Sequence, residues 1–185
     1  MSKGKLFVIS GASGVGKSTV LKEVMAARED LAFSVSATTR APRAGEVEGE
    51  SYYFITKDRF QEMIRQQAFI EYDDHMDNFY GTPTAQLEEK LEKANVVLDI
   101  EPNGAFAVRA KRPDAVLIFV APPSMEELLS RLVGRGDTPP DQVELRTKRA
   151  IWEMEQSKKY DYIVINDQVK ACADKILKII AEKAD

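Results

Sequence analysis

A glycine-rich segment near the start of the chain, GASGVGKS at residues 11–18, has the residue types that bind a phosphate. It matches the phosphate-binding loop pattern G-x-x-x-x-G-K-[ST] and lies between an apolar run and a helical pattern. The glycines let successive N–H groups surround a phosphate, and the N-terminus of the helix adds positive potential. A turn that binds nothing is the alternative, but the strand–loop–helix context favours a nucleoside triphosphate, with residues Gly11, Ala12, Ser13, Gly14, Val15, Gly16, Lys17, Ser18 and Thr19 as its contacts.

Two further roles follow from this loop. Lys17 is expected to reach the β- and γ-phosphates, and the Ser18 hydroxyl is expected to hold Mg²⁺. Asp99 ends a second apolar run at residues 96–99, where a carboxylate can approach the same ion through water. These residues predict Mg²⁺ bound together with the nucleoside triphosphate.

An arginine-containing loop could bind a second phosphate. Arg40 and Arg43 lie three residues apart in a segment stiffened by proline and glycine, so both can donate to one phosphate. Tyr52 and Tyr80 can donate hydroxyl hydrogen bonds to the same oxygens. From these residues alone, a solvated charged loop is an equally good interpretation.

Longer motifs decide between these interpretations. Residues 36–54, SATTRAPRAGEVEGESYYF, resemble the guanylate kinase signature S-x-T-T-R-x-P-R-x-G-E-x-x-G-x-x-Y-x-F. FIEY at 69–72, NFYGT at 78–82, GRG at 134–136 and YDYIVIND at 160–167 also match that family, and the resemblance runs from about residue 5 to the C-terminus. It implies transfer of the γ-phosphate of ATP to GMP, and to dGMP, in purine nucleotide metabolism.

The resemblance also implies roles for the acceptor site. Arg40, Arg43, Tyr52 and Tyr80 would hold the phosphate of GMP. The guanine base would contact Ser36, Glu71, Thr82 and Glu101. The Glu71 carboxylate could accept hydrogen bonds from both the N1–H and the N2 amine of guanine. Adenine offers no such pair of donors, so Glu71 would reject AMP. The full predicted set is Ser36, Arg40, Arg43, Glu46, Tyr52, Glu71, Tyr80, Thr82, Asp99 and Glu101.

A group of arginines matches positions at which guanylate kinases carry arginines that close over the transferring phosphoryl group. Arg131, Arg135 and Arg146 are expected to be catalytic together with Lys17. Asn166 matches the loop on the adenine side and is predicted to bind ATP. Arg149 has no counterpart and is expected at the surface.

Three departures from the family pattern concern the acceptor site. Glu101 replaces the usual Asp and is followed by Pro102 and Asn103, Asp77 stands where glycine is usual, and Phe79 replaces a tyrosine. Because a residue before proline favours extended angles, Glu101 is expected to continue the strand line of Asp99 and to face the cleft.

Apolar runs and helical periods alternate along the chain, which predicts an α/β fold. Strands are expected at 6–9, 33–36, 96–100, 115–120 and 162–165, and helices from 17 and at 103–111, 124–133, 141–159 and 169–182. The expected arrangement is the three-layer P-loop NTPase fold with a parallel central sheet. Residues 1–37, 95–133 and 160–185 form its core, residues 38–94 form an inserted α+β lobe for the monophosphate, and residues 134–159 form a mobile lid.

Composition fits one globular domain of 185 residues with a net charge of −4. This charge disfavours nucleic acid or anionic membrane as the main partner. Cys172 is the only cysteine, so an intrachain disulfide is excluded and a cytoplasmic location is expected. The expected partners are ATP and GMP, with the oligomeric state left open. A kinase of another nucleoside monophosphate, or a non-catalytic guanylate kinase-like binding module, remains an alternative.

Overall fold

The computed structural model describes residues 3–75, 77–133 and 140–184. In chain order its elements are β1 Leu6–Gly11, α1 Lys17–Ala27, β2 Leu31–Phe33, β3 Ala37–Thr38, β4 Tyr53–Phe54, α2 Lys57–Arg65, β5 Phe69–His75, β6 Asn78–Pro83, α3 Thr84–Leu91, β7 Asn95–Asp99, α4 Pro102–Lys111, β8 Val116–Ala121, α5 Met125–Val133, α6 Pro140–Gln156, a 3₁₀ turn Ser157–Lys159, β9 Tyr162–Ile165 and α7 Val169–Lys183.

The centre of the molecule is a five-stranded parallel sheet in the order β2-β7-β1-β8-β9. Leu6, Phe7, Val8 and Ile9 are all fully buried, although alternate residues of a strand point to opposite faces. Both faces of the sheet are therefore covered, which is the reason its strands read as continuous apolar runs. The predicted α/β class with a parallel central sheet is confirmed.

A second sheet is built from the middle of the chain in the order β4-β3-β6-β5. A small aromatic core supports it, in which Phe60 stacks on Phe69 and Phe79 with ring centroids 4.4 and 5.3 Å apart. Helix α4 of the larger unit contacts β5 of this sheet, and Lys111 on α4 donates to the carbonyl oxygen of Ile70 at 2.6 Å. This contact brings the two sheets together beside the end of β7.

One predicted strand was misplaced. Residues 33–36 were expected to form it, but β2 ends at Phe33, and the chain then leaves the central sheet. Ser34 still donates to the carbonyl oxygen of Val97 at 2.8 Å, and the carbonyl oxygen of Ser36 already accepts from Tyr53 in the second sheet. The segment therefore divides its backbone hydrogen bonds between the two sheets.

Helix α5 begins as predicted. The Ser124 hydroxyl accepts a hydrogen bond from the Glu127 N–H at 3.1 Å, which satisfies one donor of the first turn. The Glu127 side chain does not complete the reciprocal capping box, because it forms an ion pair with Arg131 one turn further along. None of the helices in the described part of the chain is long and apolar enough to cross a membrane.

Candidate active site

Two adjoining cavities lie at the carboxyl ends of β1 and β7, and three residues, Lys17, Asp99 and Glu101, line both. The first also has walls from the second sheet and α4, formed by Ser36, Arg43, Tyr52, Glu71, Asp73, Tyr80, Gly81, Ile100 and Gly104. The second is lined by residues 11–18 and by Glu153. The structure thus brings most of the predicted site residues together around one continuous cleft.

The phosphate-binding loop owes its shape to its glycines. Gly14 and Gly16 have φ angles of 84° and 88°, a region that residues with a side chain rarely adopt. Gly16 is also the N-cap of α1 and offers no side-chain acceptor to the first turn. Because the N–H groups at a helix start need an acceptor, the loop and helix together form a site for an anion.

Side chains from three other elements hold this loop in place. Asn166, buried at the end of β9, donates from Nδ2 to the carbonyl oxygen of Val15 at 2.8 Å. Arg131 on α5 donates to the same oxygen at 3.4 Å. Glu153 on α6 accepts from the backbone N–H of Ser13 at 2.7 Å. Asn166, predicted to contact ATP, is therefore placed as a support of the loop itself.

Lys17 and Asp99 form an ion pair across the boundary of the two cavities. Their side chains are 20% and 27% exposed, so the pair faces the cleft while remaining partly shielded from water. An incoming phosphate would compete with Asp99 for the ammonium group of Lys17. The same exchange would leave the Asp99 carboxylate available to another cation.

The arginine loop is organised by one carboxylate. Glu46 accepts from both terminal nitrogens of Arg40, at 2.8 and 2.9 Å, and from the N–H of Arg43 at 2.7 Å. These bonds hold the pKa of Glu46 far below its usual range, at about 2, and raise the pKa of Arg40. Arg40 also lies over the Tyr52 ring and donates to the Tyr80 hydroxyl at 3.3 Å. Glu46, predicted to bind substrate, is placed as the partner of Arg40.

Glu71 is a buried carboxylate at the back of the first cavity, with only 6% of its surface exposed. The Thr82 hydroxyl, on the neighbouring strand, donates to its Oε1 at 2.5 Å. Burial raises the pKa of Glu71 to about 6, and the Thr82 hydrogen bond opposes that rise. Gly104 on α4 approaches so closely that a Cβ there would lie 2.7 Å from Glu71 Oε2.

Glu101 has the extended backbone predicted for it, with φ −80° and ψ 165°, and it caps α4. Its carboxylate lines both cavities and forms an ion pair with Arg149. Arg149, expected at the surface, lies there with 32% of its side chain exposed, and it also donates to Glu153 at 3.2 Å. The i, i+4 spacing of Arg149 and Glu153 was a signal for their pairing, but the partner Glu101 lies 48 residues away.

The remaining predicted arginines belong to the helices on the phosphate-loop side. Arg131 lies in the last turn of α5, and Arg146 lies on α6 one turn before Arg149. Arg135 lies outside the described residues, as do the other residues at the start of the predicted lid, 134–139 of 134–159.

The family model for guanylate kinase matches residues 3–183. The chain belongs to the guanylate kinase family. A guanylate kinase from Clostridioides difficile is 47% identical over 99% of this chain and 90% of its own length. One from Lactococcus lactis is 44% identical over 96% of this chain and 87% of its own. The crystal structure of guanylate kinase from Anaplasma phagocytophilum superimposes with a TM-score of 0.81 at 34% identity, over 99% of this chain and 87% of the other.

Two departures from the guanylate kinase pattern now have a structural account. Asp77, which stands where glycine is usual, has a φ of 63°, and Asp tolerates this left-handed region better than most residues. Phe79 replaces a tyrosine and stacks on Phe60 in the core of the second sheet. Its ring therefore stabilises the sheet that carries Tyr80 and needs no hydroxyl for that purpose.

Proposed function

We propose that this protein transfers the γ-phosphate of ATP to GMP, and to dGMP, giving ADP and GDP. The observation that carries the proposal is the position of Lys17, which follows the phosphate-binding loop and lines both cavities. A cation at this boundary can contact the phosphoryl group at its origin and at its destination. Phosphoryl transfer depends mainly on such positioning and charge stabilisation.

The acceptor nucleotide is assigned to the first cavity. Arg43, Tyr52 and Tyr80 on its wall would hold the phosphate of GMP, with Arg40 adding charge from behind the two tyrosines. Ionised Glu71 would accept the N1–H and N2 amine of guanine.

The remaining base contacts surround that carboxylate. Ser36 and Glu101 would add hydrogen bonds to the base, and Thr82 would orient Glu71. An adenine in this place would give the buried charge of Glu71 no donor beyond the Thr82 hydroxyl, which costs affinity.

The triphosphate is assigned to the second cavity. Its β- and γ-phosphates would accept from the N–H groups of the loop, and Lys17 would exchange Asp99 for the phosphates. Arg131, Arg135 and Arg146 would then neutralise negative charge as it shifts from the attacking acceptor oxygen to the oxygen that leaves with ADP. The step needs no covalent intermediate on the protein, because the acceptor phosphate oxygen attacks the γ-phosphorus directly.

Mg²⁺ is the metal that this site would use. Among the described residues, no group of three or more His, Cys, Asp or Glu side chains could hold a metal ion. Mg²⁺ commonly binds through substrate phosphates and waters with one or two protein oxygens, and Ser18 and Asp99 on the second cavity supply such oxygens. When bound, the ion would neutralise charge on the β- and γ-phosphates.

Two segments of the chain would close over the substrates. Residues 38–94 would act as the lobe that carries GMP toward ATP, and residues 134–159 as the lid. Closure would bring the two phosphates into line and exclude water, which protects ATP from hydrolysis. The substrates are small nucleotides, and the proposed location is the cytoplasm, with no role for nucleic acid or membrane.

Two alternatives are less well supported. A binding module would need neither an intact phosphate-binding loop nor the Lys17–Asp99 pair, and both are present. A kinase of another monophosphate would have little use for a buried carboxylate at the base position, because the corresponding edge of adenine offers it no pair of donors.

A coupled assay of ADP release tests the proposal, with GMP, dGMP, AMP, CMP and UMP as acceptors. GMP should be the best substrate, dGMP should follow, and AMP should be poorer by ~10⁴-fold in kcat/KM. Turnover of any other monophosphate at the rate of GMP would overturn the guanine assignment.

A further inference from the structure

A continuous chain of polar contacts joins the acceptor cavity to the phosphate-binding loop. It begins at Glu101, whose Oε2 pairs with Nη2 of Arg149. Nε of Arg149 donates to Oε1 of Glu153 at 3.2 Å, and Oε2 of Glu153 accepts from the Ser13 N–H at 2.7 Å. Arg149 therefore contacts both carboxylates.

Glu153 depends on this arrangement because it is buried. Only 2% of its surface is exposed, and a buried carboxylate needs a positive partner and hydrogen-bond donors to remain ionised. Arg149 supplies the charge and one hydrogen bond, and Ser13 supplies the other. The carboxylate that holds the phosphate loop is thus itself held by Arg149.

Glu101 depends on the same side chain in a different way. It is 45% exposed and projects into the cleft, so without a partner its carboxylate would sample several positions. Arg149 engages Oε2 and leaves the other carboxylate oxygen for a ligand in the acceptor cavity. Glu101 has a longer side chain than the Asp that is usual in the family, and Arg149 thus fixes its position.

The geometry points to Arg149 as a positioning residue for both substrates. It fixes Glu101 for the acceptor nucleotide and, through Glu153, fixes the Ser13 N–H for the triphosphate. The inference rests on the proposed function, since it takes GMP and ATP as the two ligands. It differs from the role given to Arg146, which is to stabilise moving charge.

The test is steady-state kinetics of Arg149→Met, which removes the guanidinium group and keeps a side chain of similar length. We expect the KM for GMP to rise ~10-fold, as for the loss of one charge-assisted hydrogen bond, and the KM for ATP to rise at least threefold. The kcat should change by less than threefold. A residue with only a structural role would lower the melting temperature and the active fraction but leave both KM values unchanged.

Lys148→Met is the matched control. It removes one positive charge from the same helix, where Lys148 pairs with Glu144 and both side chains are 72% exposed. Its KM values should stay within twofold of the wild type. Equal effects in the two variants would show a general loss of positive charge and would overturn the inference.

A double-mutant cycle separates the two contacts of Arg149. In a Glu101→Gln background, Arg149→Met should raise the KM for GMP by less than threefold, because its partner charge is already gone. Its effect on the KM for ATP should persist, since that effect acts through Glu153. If Arg149→Met still raised the KM for GMP ~10-fold in this background, a role through Glu101 would be contradicted.

Arg149→Lys covers the case in which the methionine variant does not fold. Lysine keeps the charge but cannot contact two carboxylates as a guanidinium fork does, so the KM for GMP should still rise at least threefold. A kcat loss above ~30-fold with unchanged KM would make Arg149 a catalytic residue, and unchanged kinetics would also refute the inference. Wild-type turnover of GMP tests the proposed function separately, because it does not depend on these variants.

Discussion

At the scale of single residues, Glu71 shows how burial can set the chemistry of a binding site. Its pKa, about 6 in the folded protein, lies above the ordinary value of 4.5, because burial disfavours the charged form. Its contribution to stability is therefore complete below pH 4.5 and is lost as the pH rises through about 6. At neutral pH Glu71 is ionised, as its proposed role toward guanine requires, at the expense of some stability, roughly 2 kcal/mol for a shift of this size.

The first prediction follows from that pKa. Below pH 6 a growing fraction of Glu71 becomes protonated and can no longer accept two hydrogen bonds, so the KM for GMP should rise about 10-fold between pH 7 and pH 5. The KM for ATP should change much less. Initial rates with varied GMP at each pH measure this dependence.

Glu71→Gln is the control, because the phosphate of GMP itself titrates near pH 6. The variant should bind GMP weakly, and the pH dependence of its KM should reflect the nucleotide alone. If wild type and variant have parallel profiles, Glu71 does not titrate in the range proposed.

Lys17 is the second residue for which a single substitution is decisive. Lys17→Met should lower kcat by ~10²-fold or more, because it removes a charge that stabilises the transferring phosphoryl group. The loss leaves Asp99 without the ion-pair partner that the structure shows, so the fold must be checked by circular dichroism. A folded variant that retains more than a tenth of wild-type activity would refute the assigned role.

At the scale of elements, α4 shapes the proposed base pocket by its closeness to β5. Gly104 lies in the first turn of α4 and is buried against the Glu71 carboxylate. The distance of 2.7 Å from an added Cβ to Glu71 Oε2 is too short for a van der Waals contact, so one of the two groups would have to move. The Thr82 hydrogen bond limits how far the carboxylate can shift.

The third prediction tests this contact. Gly104→Ala should displace Glu71 and raise the KM for GMP at least 10-fold, while the KM for ATP should stay within twofold. Alanine favours helix formation, so helix α4 itself should not be destabilised. Ala107→Ser, an exposed substitution on the same helix, should leave both KM values unchanged. An unaltered KM for GMP in Gly104→Ala would show that the carboxylate can move freely.

Elements were predictable from the sequence where their determinants are local. Neighbouring residues were enough to predict strand β1, the glycine-rich turn after it and the start of α1. The structure confirms all three. Residues 33–36 were misassigned because their hydrogen bonds are divided between two sheets, a tertiary effect. The contact of Arg149 with Glu101 was not predicted for a similar reason, since Glu101 follows a strand far away in the sequence.

At the scale of the whole molecule, the cleft joins parts of the chain that belong to two different sheets. The phosphate-binding loop and Asp99 come from the central sheet, whereas Glu71 and Tyr80 come from the second sheet. Family motifs in the sequence predicted which residues would gather here, but not the contacts among them. Glu46 pairs with Arg40, and Asn166 supports Val15, because these residues also have to hold the site in shape.

The last prediction concerns the stability of the complete protein with its ligands. A ligand that binds only the folded state raises the unfolding free energy by ~2.7 kcal/mol at 100 times its Kd. For a chain of this length that corresponds to a rise in melting temperature of about 5–10 °C. We expect such a rise with ATP and Mg²⁺, and a separate rise with GMP alone, because the two cavities have different outer walls. AMP at the same concentration should produce less than a third of the GMP shift, since adenine lacks the N1–H and the N2 amine that guanine would donate to Glu71. Differential scanning calorimetry measures all three shifts, and an ATP shift without any GMP shift would leave a nucleotide-binding protein whose acceptor is not GMP.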